Sequence, residues 1–365
     1  MNKTNKKERN ETSAAAKVAV IKLGQDVHAA KVVVAVQLEG CPPQPAQRIA
    51  TEKYVGWVQQ LQHKHPEAKI YSCYEAGPCG YWLHRELTQL GVNNYVVAPV
   101  ALNGRRKTDV RDARALCEQL ERYVSGHTRA FSVVKVPTPE QEQQRGLLRH
   151  RRALAKSLSR VAHQGRSQML LQGYRVRGSW WGVRRWPKLA ATLPAWLREL
   201  LADYQAQAQL LHTQIRAAEE MVAALAVQRQ VSAPYGIGAL TWLTLLLETV
   251  GWDRFHNRRE VASYCGLCPS EFSSGESRRQ GSIDKHGNPR VRHALIEAVW
   301  RLERWQPHYP PLQRLRAASG SRTRRRAAVA VARRLAIDLW RLATGQTTTE
   351  KIGLALNPRQ LHVAA

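Results

Sequence analysis

The sequence predicts an α/β domain followed by a mostly helical remainder, α/β plus α overall, with a long antiparallel helical hairpin joining the two parts. Three observations predict it. Over about residues 15–130, short Val- and Ile-rich runs alternate with helical repeats, the pattern of a sheet covered by helices. Residues 143–198 contain no Asp or Glu but carry a dense run of Arg and Lys flanked by helical periodicity. From Ser232 onward, apolar helices alternate with Gly-, Ser- and Pro-rich connections. The expected segments are a basic disordered arm over 1–15, a catalytic α/β domain over 16–135, the basic hairpin over 136–230, a C-terminal domain over 231–350 and a tail over 351–365.

Composition narrows the class. The 365 residues, 44% hydrophobic, suffice for two or three domains with sizeable cores. A formal net charge of +28 far exceeds what solubility requires and points to a polyanionic partner. Nucleic acid is the foremost candidate, because neutralising phosphates releases counterions. An anionic membrane is the rival, but no run of 18 apolar residues exists. The opening stretch MNKTNKKERNETSAAA lacks the apolar core of a signal peptide, so the expected location is the bacterial cytoplasm, at the nucleoid. Six cysteines are too few and too scattered for a disulfide framework. Cys265-Gly-Leu-Cys268 could be a redox pair or half a zinc site; without a second such pair or spaced His residues, two small buried hydrophobes are the better reading.

The elements follow in chain order. Lys17–Leu23 and Lys31–Leu38 read as strands, with Gly24–Ala30 as their connection and a Pro-rich turn at Cys41–Pro45. Thr51–His63 has helical periodicity, Ala68–Tyr74 is a strand ending at Glu75, Tyr81–Leu90 a helix and Asn94–Ala98 a strand. The helix starting at Asp109 lines up Val110, Ala113, Leu116 and Leu120 on one face. The carboxylate-free stretch then presents Arg145, Arg149, Arg151, Arg152, Lys156, Arg160, Arg166, Arg175, Arg177, Arg184, Arg185 and Lys188, interleaved with Trp180, Trp181 and Trp186. Ordinary solvated faces mix signs, so this run predicts phosphate contacts, with the Trp residues stacking on bases. Leu197–Val227 is a second long helix, which makes the pair an antiparallel coiled-coil hairpin.

In the last region, Pro234-Tyr-Gly236-Ile-Gly238 precedes the apolar helix Leu240–Val250. This resembles a helix-hairpin-helix element, whose glycines bring backbone N–H groups to a phosphate; a plain helix cap is the alternative. A helix near Arg258–Tyr264, a Ser- and Gly-rich stretch over Pro269–Gly281 and a basic turn over Asp284–Asn288 follow. Helices from Val291 and from Ser321 close the chain, the latter with Arg322, Arg324, Arg325, Arg326, Arg333 and Arg334.

Four carboxylates carry the candidate chemistry: Asp26, Glu75, Asp109 and Asp112. Asp26 closely follows a strand, Glu75 ends another, and Asp109 and Asp112 share one helix face. Acidic groups at strand ends can converge on one point of an α/β sheet. Like-charge repulsion there is relieved by divalent cations, and hard oxygen ligands suit Mg²⁺ or Mn²⁺. Two such ions can clamp a phosphate, so in a chain this basic the set points to phosphodiester chemistry. Singly, each residue has a plainer reading, Asp26 as a turn residue and Asp109 as a helix N-cap.

Three segments carry a family resemblance: Ile21-Lys-Leu-Gly-Gln-Asp26-Val, Tyr74-Glu75-Ala-Gly and Lys107-Thr-Asp109-Val-Arg-Asp112-Ala. Together they resemble the RNase H/RuvC-like DEDD domain of insertion-sequence transposases of the 110/1111 family, whose relatives include the pilin-gene inverting recombinase. The second half agrees, through Pro234-Tyr-Gly-Ile-Gly238, Gly266-Leu-Cys-Pro269, Ser273-Ser274-Gly275, Gly281-Ser-Ile-Asp-Lys285-His-Gly-Asn288 and Arg292. Departures are Gly24-Gln25 before Asp26 and Gly77-Pro78 after Glu75; neither removes a ligand.

The resemblance implies a serine nucleophile, carried over as Ser274 with Ser273 as the alternate, which forms a covalent phosphoserine link while the carboxylates orient the phosphate. It implies Lys107, Lys285, Arg290 and Arg292 as phosphate contacts. It also implies donor and target DNA, a structured non-coding bridge RNA that pairs with both, and a dimer or tetramer in which the serine of one subunit can meet the carboxylates of another. Two rivals remain open: a junction-resolving nuclease that uses water, and a nucleic-acid-binding protein with structural carboxylates.

Overall fold

The structure, a computed structural model, describes residues 18–99, 108–230, 232–272, 277 and 279–357. Lys107, Ser273, Ser274, Gly275, the N-terminal arm and the last residues of the tail lie outside them. The chain forms two compact units, Met1–Val136 and Pro137–Ala365.

In the first unit, strands β1 (Val20–Val27), β2 (Lys31–Leu38) and β3 (Gln47–Ala50) are followed by α1 (Thr51–Lys64), β4 (Lys69–Glu75), α2 (Trp82–Gln89), β5 (Asn93–Val97) and α3 (Asp109–Val124). The five strands make one mixed sheet in the order β3-β2-β1-β4-β5. β1 pairs antiparallel with β2 and parallel with β4, and β4 pairs parallel with β5. The Val-rich β2 is buried on both faces, which explains its continuous apolar run. Val32, Val34 and Val36 face Tyr54 and Val58 of α1 and Leu83 and Leu87 of α2. Val33 and Ala35 face α3 through Ala113 and Cys117. Three layers result, with α3 alone on its side among the helices of this unit.

The first strand is longer than predicted. It runs through Gly24 and Gln25 to Val27, with Gly24 paired to Ala35 and Asp26 to Val33. Gly24 marks the place where α3 sits directly on the sheet: a Cβ there would lie 2.2 Å from the Ala113 carbonyl oxygen and 2.3 Å from the Cys117 nitrogen. Both atoms are backbone and cannot rotate away. Gly24→Ala is therefore expected to destabilise the protein by about 3 kcal/mol or more. Urea unfolding should show a lower midpoint with an unchanged slope; an unchanged midpoint would mean that α3 is not seated on this glycine.

The second unit is helical apart from one small hairpin. It comprises α4 (Pro139–Leu171), α5 (Trp186–Ala190), α6 (Ala195–Gln228), α7 (Ala239–Thr249), α8 (Arg258–Tyr264), β6 (Pro269–Glu271), β7 (Gln280–Ile283), α9 (Pro289–Trp305), α10 (Gln313–Arg316), α11 (Ser321–Ala343) and α12 (Thr349–Ile352). Thr138 starts α4 with a capping box: its hydroxyl accepts from the Gln141 nitrogen while the Gln141 side chain accepts from its own. The long α4 and α6 run antiparallel. Val161, Ala162 and Met169 meet Leu197, Leu201 and Ala208 near the tip, and Leu148 meets Val222, Leu225 and Ala226 at the other end. A separate core joins α7, α8, α9 and α11 around Val291, Leu295, Leu302, Ala332 and Leu335. Cys265 and Cys268 are both free thiols; Cys265 is buried, and burial pushes its thiol up to about 12. Among the described residues, no helix is long and apolar enough to cross a membrane.

Candidate active site and nucleic-acid contacts

Strand alternation decides which side chains of β1 share a face. Lys22 reaches Glu121 of α3, Gly24 touches α3, and Asp26 continues that row. On the neighbouring parallel strand, Gln25 pairs with Tyr74, so Asp26 and Glu75 lie side by side one step further along. Glu75 shares its face with Cys73, which packs against Leu116 and Leu120. The first turn of α3, capped by the Thr108 hydroxyl, supplies Asp109 and Asp112. Three elements thus bring the four predicted carboxylates to the carboxyl end of the central strands β1 and β4, on the α3 side of the sheet.

The innermost group differs from the predicted foursome. One donor atom each from Asp26, His28 and Asp109 lie within 4.8 Å of one another. His28 Nε2 is 3.1 Å from Asp26 Oδ2 and 3.6 Å from Asp109 Oδ2, and Lys31 Nζ donates to Asp109 Oδ2 at 2.9 Å. Glu75 and Asp112 stand outside that set, Asp112 almost fully buried. Burial raises the Asp26 carboxyl above its ordinary range, and the charges of Asp109 and Asp112 push it further up against the pull of His28. The hydrogen bond from Lys31 holds Asp109 below its ordinary range. Two crowded carboxylates with an imidazole beside them are a donor set that fits a divalent cation. The sequence reading missed His28 and Lys31. The signal for His28 is the Asp26-Val-His28 alternation at the end of β1, which Gly24 and Gln25 mask by their poor strand character.

The basic residues divide into interior and surface groups. Arg145 is buried, and with Arg149 it converges on Glu248 of α7, itself 2% exposed. Arg145 Nη2 donates to Glu248 Oε2 at 3.0 Å; Arg149 donates through Nε to Oε1 at 3.0 Å and through Nη2 to Oε2 at 3.1 Å. Asn288 Nδ2 donates to Oε2 at 3.2 Å, and Arg290 Nε lies 3.7 Å from Oε1. Burial alone would raise the Glu248 carboxyl, but the Arg149 hydrogen bond and the Arg145 and Arg149 charges hold it below its ordinary value. Glu248 is a third residue that the sequence does not single out; a single carboxylate inside an apolar helix is its signal.

Several expected nucleic-acid contacts are corrected by burial. Trp180 is fully enclosed against Gly165, with its indole N–H donating to the Ala162 carbonyl at 2.9 Å, and Trp181 is 8% exposed beside His212. Neither can stack on a base, because both are spent filling the tip between α4 and α6, packed with Met169, Leu197 and Trp186. Arg145 is likewise an interior ion-pair partner. Gly236 has φ +85° and a Cβ there would lie 2.4 Å from the Trp305 Cβ, so packing against α9 already requires it. Gly238 caps α7 with no side-chain hydrogen bond. Arg151 pairs with Glu219 and Arg324 with Glu303; Arg166 donates to the Gly178 carbonyl and Arg292 to those of Cys265 and Lys285. Arg152, Lys156, Arg160, Arg175, Arg177, Arg184, Arg185, Lys285, Arg322 and Arg325 are exposed.

A carboxylate cluster at the strand ends of a mixed sheet, in a chain this basic, has the character of a DNA-processing enzyme, and comparison with known proteins places it among transposases. The family model described as Transposase IS116/IS110/IS902 family matches residues 229–312. A Sinorhizobium fredii protein, y4rJ, whose name carries the word transposase, is 32% identical over 309 residues, spanning 76% of this chain and 77% of its own. The transposase for insertion sequence element IS1111A of Coxiella burnetii is 26% identical over 321 residues, spanning 82% of this chain and 83% of its own. That for IS1533 of Leptospira borgpetersenii is 26% identical over 274 residues, spanning 66% of this chain and 77% of its own. This chain belongs to the IS116/IS110/IS902 family of insertion-sequence transposases.

Proposed function

We propose that this transposase cleaves and rejoins DNA through a phosphoserine intermediate, with Ser274 as nucleophile and Ser273 as its alternate. The observation that carries the reading is that Asp26 interacts with Asp109 and Asp112 and lies beside Glu75 at the carboxyl end of the central strands, in a member of a transposase family. The serine oxygen bonds to the scissile phosphorus, and the phosphorus–oxygen bond to the departing sugar breaks. That sugar hydroxyl takes up a proton. Phosphodiester energy is kept in the serine ester, so a second sugar hydroxyl can reverse the step on a new strand without ATP. Asp26, Asp109 and His28, with Asp112 and Glu75 beside them, would hold Mg²⁺ or Mn²⁺, which supplies charge stabilisation for the phosphate. Lys31 offsets part of the carboxylates' repulsion through its bond to Asp109.

The remaining parts follow the resemblance. An RNase H/RuvC-like domain and a coiled-coil hairpin fit the mixed sheet and the paired α4 and α6. The exposed basic residues bind the backbones of donor DNA, target DNA and a structured bridge RNA, so that base pairing supplies sequence and the protein supplies chemistry. A dimer or tetramer provides the two strand exchanges.

Trapping the adduct tests the nucleophile. Incubation with a suicide DNA substrate is expected to yield a DNA-linked protein whose tryptic phosphopeptide contains Ser274. Ser273→Ala with Ser274→Ala together are expected to abolish it. Cleavage retained by that double variant would mean that water attacks instead and that the chain acts as a metal-dependent nuclease.

A further inference from the structure

Near the end of the hairpin remote from its tip, α4, α6, α7 and α9 enclose a cleft of about 620 Å³. Its walls carry five arginines, Arg149, Arg151, Arg152, Arg290 and Arg301, against three carboxylates, Glu219, Glu248 and Glu297, with Glu219 paired to Arg151. The cleft lies within the size range of sites that seat small ligands or single units of larger ones, about 300–1,000 Å³.

Its charge is unbalanced. Glu248 is hydrogen-bonded by Arg145 and Arg149 and lies beside Arg290, one carboxylate among three guanidinium groups. Burial first, and then repulsion from Arg149 with further contributions from Arg145 and Arg152, pushes the Arg290 guanidinium below its ordinary value against the pull of Glu248. Guanidinium does not give up its proton in proteins, so the excess charge calls for an added anion. Donors are also left over. Arg149 spends Nε and one terminal nitrogen on Glu248, which leaves three of its five N–H groups. Gly238, the uncapped start of α7, forms part of the same wall and leaves backbone N–H groups there without a side-chain acceptor.

We propose that this cleft is a phosphodiester-binding site, in which Glu248 holds Arg149 and Arg290 in place and Arg152 and Arg301 complete a wall that grips a nucleic-acid backbone. This rests on the DNA-recombining reading above. The buried carboxylate orders the guanidinium forks before the ligand arrives, so their side-chain freedom is not lost on binding. The same phosphate chemistry is offered by a DNA strand and by a folded RNA.

The test uses the full chain and two fluorescent probes, a DNA duplex and a structured RNA hairpin, with affinity followed by anisotropy over a salt series. R152Q with R301Q is expected to weaken binding at least about tenfold and to make the log–log salt slope shallower by about 2, one unit per lost phosphate contact. R152Q alone leaves the Arg301 bond to the Gly236 carbonyl intact and should lose about 1 unit. R258Q with R259Q removes the same charge from exposed positions on α8 and is the control. Loss confined to one probe, or shared by both, supports the site and identifies which backbone occupies it. A cleft pair no worse than the α8 pair on either probe would overturn it while leaving the recombinase reading intact. A wild-type chain that binds neither probe would sink that reading itself.

Discussion

Asp26→Asn is expected to abolish strand cleavage, by at least about 10³-fold, the scale on which a central electrostatic group contributes to an active site. Asparagine keeps the size of the side chain and an oxygen to face His28, so the end of the sheet should keep its shape. What it removes is one of the two carboxylates in the innermost group and the charge that the site sets against a cation. Asp26 sits on β1 and is not one of the arginines and lysines expected to bind phosphates, so affinity for DNA should remain within about twofold, a few tenths of a kcal/mol. Gel-based cleavage assays beside anisotropy titrations separate the two effects. Cleavage preserved in Asp26→Asn, or in the wild type after exhaustive chelation, would overturn the role given to the carboxylate cluster.

Glu248→Gln is expected to destabilise the second unit by about 3–5 kcal/mol at neutral pH, because it strands buried guanidinium charge. The amide still fills the space and accepts a hydrogen bond, so the loss is electrostatic rather than a packing defect. The pH dependence has a definite sign. The folded state holds the Glu248 carboxyl below its ordinary value of 4.5, so its stabilisation is present above that value and is lost as pH falls through the folded pKa. The gap between wild type and variant, read from urea unfolding, should therefore be constant from neutral pH down to about 5 and close below about 4.5. A gap that stays open into strong acid would show that Glu248 acts by shape and not by charge.

How much of this was legible in the residues differs from element to element. The strands announced themselves because β2 is buried on both faces and so carries one unbroken apolar run, and α3 did so because Ala113, Leu116 and Leu120 repeat at helical spacing. The strand signal fades at Gly24 and Gln25 because both are poor strand formers, and the closeness of α3 explains the glycine alone. The same fading hides His28, whose place beside Asp26 follows only when the strand is carried on to Val27. A run of arginines says that charge is present without saying which members turn inward. Arg145 turns inward because Glu248, about a hundred residues away in the chain, waits for it. Nor can a Trp pair in a basic stretch reveal that the turn between two helices needs filling, which is where Trp180 and Trp181 went. Both failures concern contacts between parts distant in sequence, which spacing does not encode.

The length of α4 has a consequence of its own. From Arg152, at the cleft, to Leu171, where the helix ends and the exposed Arg175, Arg177, Arg184 and Arg185 begin, the helix advances about 30 Å at 1.5 Å per residue. One turn of B-form duplex is about 34–36 Å. A duplex bound at both stations would span roughly eight base pairs at about 3.4 Å each, less than one full turn. If both stations hold phosphates, the hairpin would set a minimum length of duplex, and one much shorter than about eight base pairs would engage only one of them.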